Sequence, residues 1–163
     1  RRRIAMISAL RKYPKKIKWI TMITNAEKLF FSINLLVWTS YGLMLIIDPT
    51  VLATLGVFDQ SDWVEKVEVR AMYGGAQLAF GLLAVLVFFN PTQHKLTATL
   101  FYALLFGGLA LVRMAGLMVD GPGLALELNG TDPVSYNSGA LWFFEVPMFV
   151  FASWLCWRQK QTV

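Results

Sequence analysis

Four charged side chains lie inside long apolar stretches of this sequence, where a charge is costly unless it is paired, hydrated or able to reach the membrane surface. They are Glu68, Arg70, Arg113 and Glu145. Arg113 paired with Glu145, and Arg70 paired with Glu68 or another neighbour, would neutralise the set. Such opposite charges either hold helices together or line a polar pocket that binds a head group.

Tyrosine and glutamine side chains extend the polar face around Arg70 at helical spacing. Three interpretations are open: a buried ion-pair network that fixes helix packing, a pocket in the outer half of the membrane, or charges that reach the surface without touching one another. The pocket would bind a lipid head group, a quinone or another amphiphile, and no other cofactor is suggested. The candidate polar cluster consists of Glu68, Arg70, Tyr73, Gln77, Arg113 and Glu145.

Cysteine and histidine, two residue types that often serve as nucleophiles or metal ligands, occur once each. The one cysteine, Cys156, excludes an intrachain disulfide and a cysteine-rich metal cluster, and the one histidine, His94, excludes bis-histidine haem ligation within one chain. The sequence has no nucleophile motif, phosphate-binding loop or metal-ligand spacing. We therefore expect no catalytic residues and no metal site, and predict that the protein is not an enzyme.

Four long apolar runs must position these charges. The 163 residues are 56% hydrophobic and only 15% charged. At about 1.5 Å per residue, the shortest run reaches about 27 Å, close to the thickness of a bilayer's hydrocarbon core. The sequence predicts an all-α membrane protein, a four-transmembrane-helix bundle over 29–157 that lies in a lipid bilayer. The predicted spans are 29–47, 67–89, 96–119 and 140–157.

Basic residues gather in the segments that would lie on one side of this membrane. Residues 1–28, the turn at 90–95 and the tail at 158–163 hold twelve Lys and Arg residues and one acidic residue. The loops at 48–66 and 120–139 hold seven acidic residues and one basic residue. The positive-inside bias predicts that both termini are cytoplasmic, and we expect a bacterial inner (cytoplasmic) membrane.

The first 28 residues form a basic arm in which isoleucine and leucine recur at helical spacing. No compact apolar core precedes a small-residue cleavage site, so we expect an interfacial segment and not a cleavable signal peptide. The arm would lie on anionic lipid head groups or dock a partner protein, and nucleic acid is not expected as a partner. Its basic residues include Arg1, Arg2, Arg3, Arg11, Lys12, Lys15, Lys16 and Lys18.

The two halves of the chain resemble each other. A Gly-Leu-Met triplet occurs near the end of the first and third spans, and a Glu-Val pair occurs in the span that follows each, at Glu68 and Glu145. This pattern predicts two parallel helical-hairpin repeats.

Small residues recur at four- or eight-residue spacing on the second and third spans, and such faces let membrane helices approach closely. They would pack helices within the chain or contact other subunits. These residues are Ala71, Gly75, Ala79, Gly107, Gly108 and Gly116.

The segment 68–83 resembles the second helix of DoxX-like four-helix membrane proteins, which show a glutamate, a glycine-rich turn, a leucine and a Gly-Leu pair. It is still more similar to uncharacterised bacterial relatives that carry Arg-x-x-Tyr-Gly-Gly here and Gly-Gly-Leu-Ala-x-x-Arg in the third helix, found at 107–113. The resemblance covers about 29–157. The matching positions in the second span are Glu68, Gly74, Gly75, Leu78, Gly81 and Leu82.

The resemblance implies a four-helix bundle and a role beside other membrane proteins, because some DoxX-like proteins are accessory subunits of quinone-linked oxidoreductases. Our leading expectation is a non-catalytic accessory or structural subunit of a larger membrane complex, with membrane-protein partner subunits. The alternative is a standalone protein that binds a lipid or quinone-like amphiphile through the polar cluster.

Overall fold

The computed structural model describes residues 23–54, 63–119 and 133–161. The basic arm residues, from Arg1 to Lys18, lie outside the described residues. Every regular element within the described ranges is helical. The helices are α1 (Asn25–Ile47), α2 (Val51–Thr54), α3 (63–89), α4 (Pro91–Val119) and α5 (133–161).

All four long helices begin earlier than the apolar runs indicate, and the starts of α1 and α4 show why. A capping box starts α1: Thr24 Oγ1 accepts a hydrogen bond from Glu27 N at 3.3 Å, and Glu27 Oε2 accepts one from Thr24 N at 2.7 Å. Helix α4 begins at Pro91, whose fixed φ and missing N–H suit the first helical position. The polar residues of these first turns explain why apolar runs alone place both starts too late.

The four long helices are long and apolar enough to cross a membrane, which confirms the predicted all-α, four-helix architecture. At most 33% of the residues in each span's apolar window are buried inside the chain. Large apolar side chains point outwards instead, such as Leu36 and Val112, which are 70% and 74% exposed. An apolar exterior of this kind fits a lipid environment, because water would penalise it. The spans are Asn25–Ile47, Glu65–Phe89, Pro91–Val119 and Asn137–Gln161.

Two of these helices contain a π-helical segment, Val69–Gly75 in α3 and Leu141–Glu145 in α5. The segment in α5 ends two residues before Pro147, which cannot donate a hydrogen bond to the carbonyl four residues earlier. A π turn contains more residues than an α turn, so it changes the direction of the side chains that follow. The α-helical parts are Trp63–Glu68 and Ala76–Phe89 in α3, and Pro133–Ala140 and Val146–Gln161 in α5.

The bundle consists of two helical hairpins, because α1 packs chiefly against α3 and α4 packs chiefly against α5. An aromatic layer fills the space between them. Its members Trp38, Phe80, Phe106 and Phe144 contact one another with ring centroids 5.4 to 6.2 Å apart. Beneath the layer, the Tyr102 hydroxyl donates to the Phe80 carbonyl oxygen at 2.5 Å. The buried polar group therefore has a backbone partner, as a low-dielectric interior requires.

Glycines let α1 and α3 approach each other closely, as Gly42 and Gly74 show. A Cβ atom added at Gly42 would lie 2.7 Å from the backbone nitrogen of Leu78 and 2.9 Å from the carbonyl oxygen of Gly74. A Cβ atom added at Gly74 would in turn lie 3.2 Å from the carbonyl oxygen of Gly42. The neighbours of Gly42 are backbone atoms, which cannot turn aside as a flexible side chain can, so this position depends on glycine. At Gly74 the nearest atom is the side-chain Cγ1 of Ile46, at 2.7 Å.

The small residues singled out in the sequence mostly lie elsewhere, and the expectation that they pack helices within the chain needs correction. Ala71, Gly75 and Ala79 are exposed on α3. A Cβ atom at Gly108 or Gly116 would meet nothing within 4 Å. A four-residue ladder assumes continuous α-helical geometry, and the π-helical segment of α3 interrupts it, so that Gly74 and not Gly75 faces α1. Of the six predicted residues, Gly107 does face a neighbouring helix, at Phe149.

Replacement of Gly42 by alanine tests this close contact. We expect Gly42→Ala to lower the free energy of unfolding by about 2 kcal/mol, because the added methyl group must force α1 and α3 apart. The matched control is Gly108→Ala, whose methyl group meets open space, so this variant should not destabilise the protein and should gain up to about 1 kcal/mol from helix propensity. Equilibrium unfolding of both variants in detergent micelles measures the difference. Equal stability of the two variants would contradict the assignment of the contact.

Candidate functional site

A cavity of about 500 Å³ lies between the four long helices. It is displaced towards the loop end of the bundle, which is the end opposite the terminal end where α1 begins and α5 ends. This volume lies within the range of small-molecule sites. Aromatic side chains from the aromatic layer form its floor, and Leu52 of α2 contributes from the loop end. The polar residues that line it are Tyr41, Tyr73, Gln77, Arg113, Asn137 and Glu145.

An ion pair between α4 and α5 forms the polar wall of this cavity. Arg113 Nε donates to Glu145 Oε1 at 2.9 Å and to Oε2 at 3.0 Å, and Arg113 Nη2 lies 2.8 Å from Oε1. The Glu145 side chain is 4% exposed and the Arg113 side chain 23% exposed. The guanidinium group thus satisfies a buried carboxylate through several charge-assisted hydrogen bonds and still shows part of its surface.

The π-helical segment of α5 brings two more polar contacts to this pair. Glu145 is the last residue of that segment, and Asn137 lies one turn before it begins. Asn137 Oδ1 accepts a hydrogen bond from Arg113 Nη1. On the opposite side, the π-helical segment of α3 contributes Tyr73 to the lining. Both irregular segments therefore supply residues of the cavity, as is frequent for π turns at functional sites.

One side chain of the lining has a buried oxygen without a hydrogen-bond partner in the described chain. It is Gln77, whose Oε1 is buried. A buried acceptor without a donor carries a desolvation cost of about 1–3 kcal/mol. Because Arg113 and Glu145 are the charged residues of the lining, the wall of the cavity has no net charge.

The arrangement suits non-covalent recognition. The cavity combines hydrogen-bonding groups on one wall with aromatic rings on another, which is the composition of small-molecule sites. Within residues 23–54, 63–119 and 133–161, no three His, Cys, Asp or Glu residues come together as a group that could hold a metal ion.

The model of one protein family, a domain of unknown function (DUF4345), matches residues 26–126. The match includes more than half of the chain and extends over nearly all of α1 to α4. The chain belongs to this family. Tyr73, Gln77 and Arg113 lie within the matched residues, whereas α5 with Glu145 lies beyond them. No curated protein and no solved structure matches the chain.

The structure brings together four of the six residues of the predicted polar cluster. Tyr73 and Gln77 from α3, Arg113 from α4 and Glu145 from α5 all line the cavity. Asn137 was not predicted, because the apolar run of the fourth span begins only at residue 140 while α5 begins at residue 133. Asn137 belongs to the polar first turns of α5, which are not part of an apolar run.

The other two predicted residues, Glu68 and Arg70, are exposed and lie apart from the cavity. Arg70 Nε donates to the carbonyl oxygen of Ile46 at 3.0 Å, so the cation caps the C-terminal end of α1. Nearby, hydrogen bonds from the Thr50 hydroxyl and backbone N–H lower the pKa of Asp48, and attraction to Arg70 adds to this effect. The assignment of Glu68 and Arg70 to one cluster with Arg113 is therefore corrected.

A second polar cluster at the terminal end was missed by the sequence analysis. Glu27, which is 3% exposed, lies with Oε1 3.2 Å from Lys95 Nζ and accepts a hydrogen bond from Gln159 Nε2 at 2.9 Å. Gln159 Nε2 also lies 3.2 Å from Thr99 Oγ1. The cluster joins α1, α4 and α5. The capping-box pattern Thr24-x-x-Glu27 was the signal that could have shown that this carboxylate belongs to a helix.

The ion pair of the cavity predicts a specific pattern of stability. Arg113→Gln should lower the free energy of unfolding by about 3 kcal/mol, because it leaves the buried carboxylate of Glu145 without its cation. The double variant Arg113→Gln/Glu145→Gln should recover much of this loss, since two neutral amides need no counter-charge. Equilibrium unfolding of the two single variants and the double variant gives the coupling energy. Strictly additive effects would mean that the two charges do not stabilise each other.

Proposed function

We propose that this protein binds a small amphiphilic molecule in the membrane, with the head group of the ligand in the cavity at the loop end. The observation that carries the proposal is a cavity to which α1, α3, α4 and α5 all contribute. Packing alone requires only the ion pair between two helices. It does not require an open volume of about 500 Å³ beside that pair.

The lining supports an amphiphile as the ligand. A purely apolar molecule would make no use of the polar wall formed by Arg113, Asn137 and Glu145. A purely polar molecule would make no use of the aromatic floor formed by Trp38, Phe80 and Phe144. A molecule with a polar head and an apolar body fits both, and its body can continue into the surrounding lipid.

The proposal includes an orientation, with both termini in the cytoplasm and the cavity in the outer half of a bacterial inner membrane. The nine basic residues of 1–28 support it through the positive-inside rule. Lys95 and Arg158 also belong to the terminal end of the bundle. Arg158 packs its guanidinium carbon 4.8 Å from the ring centroid of Trp154, and tryptophan is enriched where helices meet the membrane surface.

A cavity-filling substitution tests the proposal. Ala140 lines the cavity, so Ala140→Leu should exclude the ligand and lower its recovery about tenfold. The control is Ala115→Leu on the exposed surface of α4, which makes the same chemical change away from the cavity. Each protein is purified from its native membrane in mild detergent, and bound small molecules and lipids are measured by mass spectrometry. Recovery of no enriched molecule, or equal loss in both variants, would refute binding in this cavity.

The second candidate function is the accessory subunit that the resemblance to DoxX-like proteins implies. The observation that favours it is the exposed face of Ala71, Gly75 and Ala79 on α3, where a Cβ atom added at Gly75 would meet no other helix of the described chain within 4 Å. A face of small residues allows close approach of a helix from another membrane protein. The two candidates are compatible, because this face and the cavity use different sides of α3.

Co-purification tests the accessory role. If α3 contacts a partner subunit, Ala79→Leu should reduce the amount of co-purifying membrane protein several-fold while the protein itself stays folded. Ala115→Leu on α4 is the matched substitution. Loss of the partner with Ala115→Leu alone would assign the contact to α4, and recovery of the wild-type protein without any stoichiometric polypeptide would rule out the accessory role.

A further inference from the structure

We propose that the outer face of α5 binds one anionic phospholipid, with an acyl chain in a shallow apolar groove and the head-group phosphate at Arg158. The groove has a volume of about 620 Å³ and opens on the exterior of the bundle. It shares no lining residue with the cavity at the loop end, so this site does not depend on the proposed function. The groove is lined by Val146, Pro147, Val150, Phe151 and Trp154.

The groove runs along α5 towards a cation. Residues spaced by four form a continuous row on the surface of a helix, and one such row passes through the groove. The row consists of Val146, Val150, Trp154 and Arg158. At about 1.5 Å per residue, it extends over about 18 Å. One leaflet contributes about 15 Å to the hydrocarbon core, so the row matches the length of a single acyl chain and the beginning of its head group.

Aromatic contacts give the groove a fixed wall. The ring centroid of Phe151 lies 5.3 Å from that of Phe30 in α1 and 5.9 Å from that of Trp154. Because these rings are already ordered, little side-chain entropy is lost when an acyl chain packs against them. Val150, in the middle of the groove, is 59% exposed, so the wall borders a surface that a lipid chain can cover.

Arg158 lies where the phosphate of such a lipid would be. Its guanidinium carbon is 4.8 Å from the ring centroid of Trp154, and this cation–π contact holds the cation next to the end of the apolar groove. Guanidinium groups bind phosphate oxygens through paired N–H donors. Tryptophan is enriched at the level of the lipid head groups, so Trp154 and Arg158 mark the depth at which the acyl chain gives way to the phosphate.

The charge of the terminal end favours an anionic head group over a zwitterionic one. Among the residues that the structure describes, this end has one carboxylate, Glu27, which is 3% exposed and lies 3.2 Å from Lys95 Nζ. Lys28 and Lys160 are exposed cations at the same end. A phosphate without a counter-charge of its own is attracted to these cations, whereas the ammonium group of a zwitterionic lipid is repelled.

Photolabelling locates the lipid. The full chain is placed in phosphatidylcholine nanodiscs with a small fraction of phosphatidylglycerol that carries a diazirine in its acyl chain, and labelled residues are identified by mass spectrometry. We expect labels to concentrate at residues 146–158. A phosphatidylcholine probe with the same diazirine chain should label them about fivefold less. Inorganic phosphate should compete no better than chloride at equal ionic strength, because a free anion lacks the acyl chain.

Two matched pairs of variants test the two halves of the site. Arg158→Gln should lower phosphatidylglycerol labelling at 146–154 about tenfold, whereas Lys28→Gln, which removes the same charge from α1, should change it less than about twofold. Val150→Trp fills the groove and should remove most of the labelling. Val112→Trp makes the same substitution at a 74% exposed position of α4 and should leave the labelling unchanged. Since Val150 and Val112 are both exposed, neither tryptophan disturbs the core.

Three results would overturn the inference. Equal labelling by the phosphatidylglycerol and phosphatidylcholine probes would exclude selection of an anionic head group. An equal change in both members of either variant pair would separate the labelling from Arg158 or from the groove. Labels spread evenly over the exposed faces of α1, α3, α4 and α5 would mean that lipid surrounds the bundle without a defined site.

Discussion

The ion pair between Arg113 and Glu145 is the interaction on which the cavity end of this bundle depends. In a membrane, neither charge can be left alone, so the pair fixes the height at which α4 and α5 meet. The π-helical segment of α5 allows this contact, because it ends at Glu145. Asn137, one turn before that segment, accepts one further hydrogen bond from the guanidinium group of Arg113. The same guanidinium group forms the polar wall of the cavity, which therefore could not keep its shape if α4 and α5 slid past each other.

The other hairpin is held by a different kind of contact. Helices α1 and α3 meet at Gly42 and Gly74, where backbone approaches backbone, and Arg70 of α3 adds a hydrogen bond to the carbonyl oxygen of Ile46. Each hairpin is held together by its own contacts. The side chains between the hairpins are therefore not needed to join the helices within either one. The aromatic layer occupies its middle, and the cluster around Glu27 ties α1 to α4 and α5 at the terminal end.

The number and type of helices could be predicted from the sequence because long apolar runs have few alternatives in lipid. Arg113 and Glu145 could be predicted because charges inside such runs are rare. Arg70 was assigned wrongly because the sequence gives the depth of a residue along a helix but not its direction around the helix axis. In α3 that direction depends on the π-helical segment, which no residue pattern of this sequence indicates. Asn137 and Glu27 were missed because both belong to polar first turns, where composition resembles that of a loop.

The placement of the polar groups bears on whether the bundle binds a molecule or passes one through. The cavity around Arg113 and the cluster around Glu27 lie at opposite ends, and the aromatic layer lies between them. In that layer, the indole N–H of Trp38 donates to Asn34 at 3.0 Å, and the amide of Asn34 donates to the carbonyl oxygen of Phe30. These polar groups already satisfy one another. Among the described residues the cavity is therefore closed towards the terminal end, which favours a molecule that enters, is held and leaves by the same route.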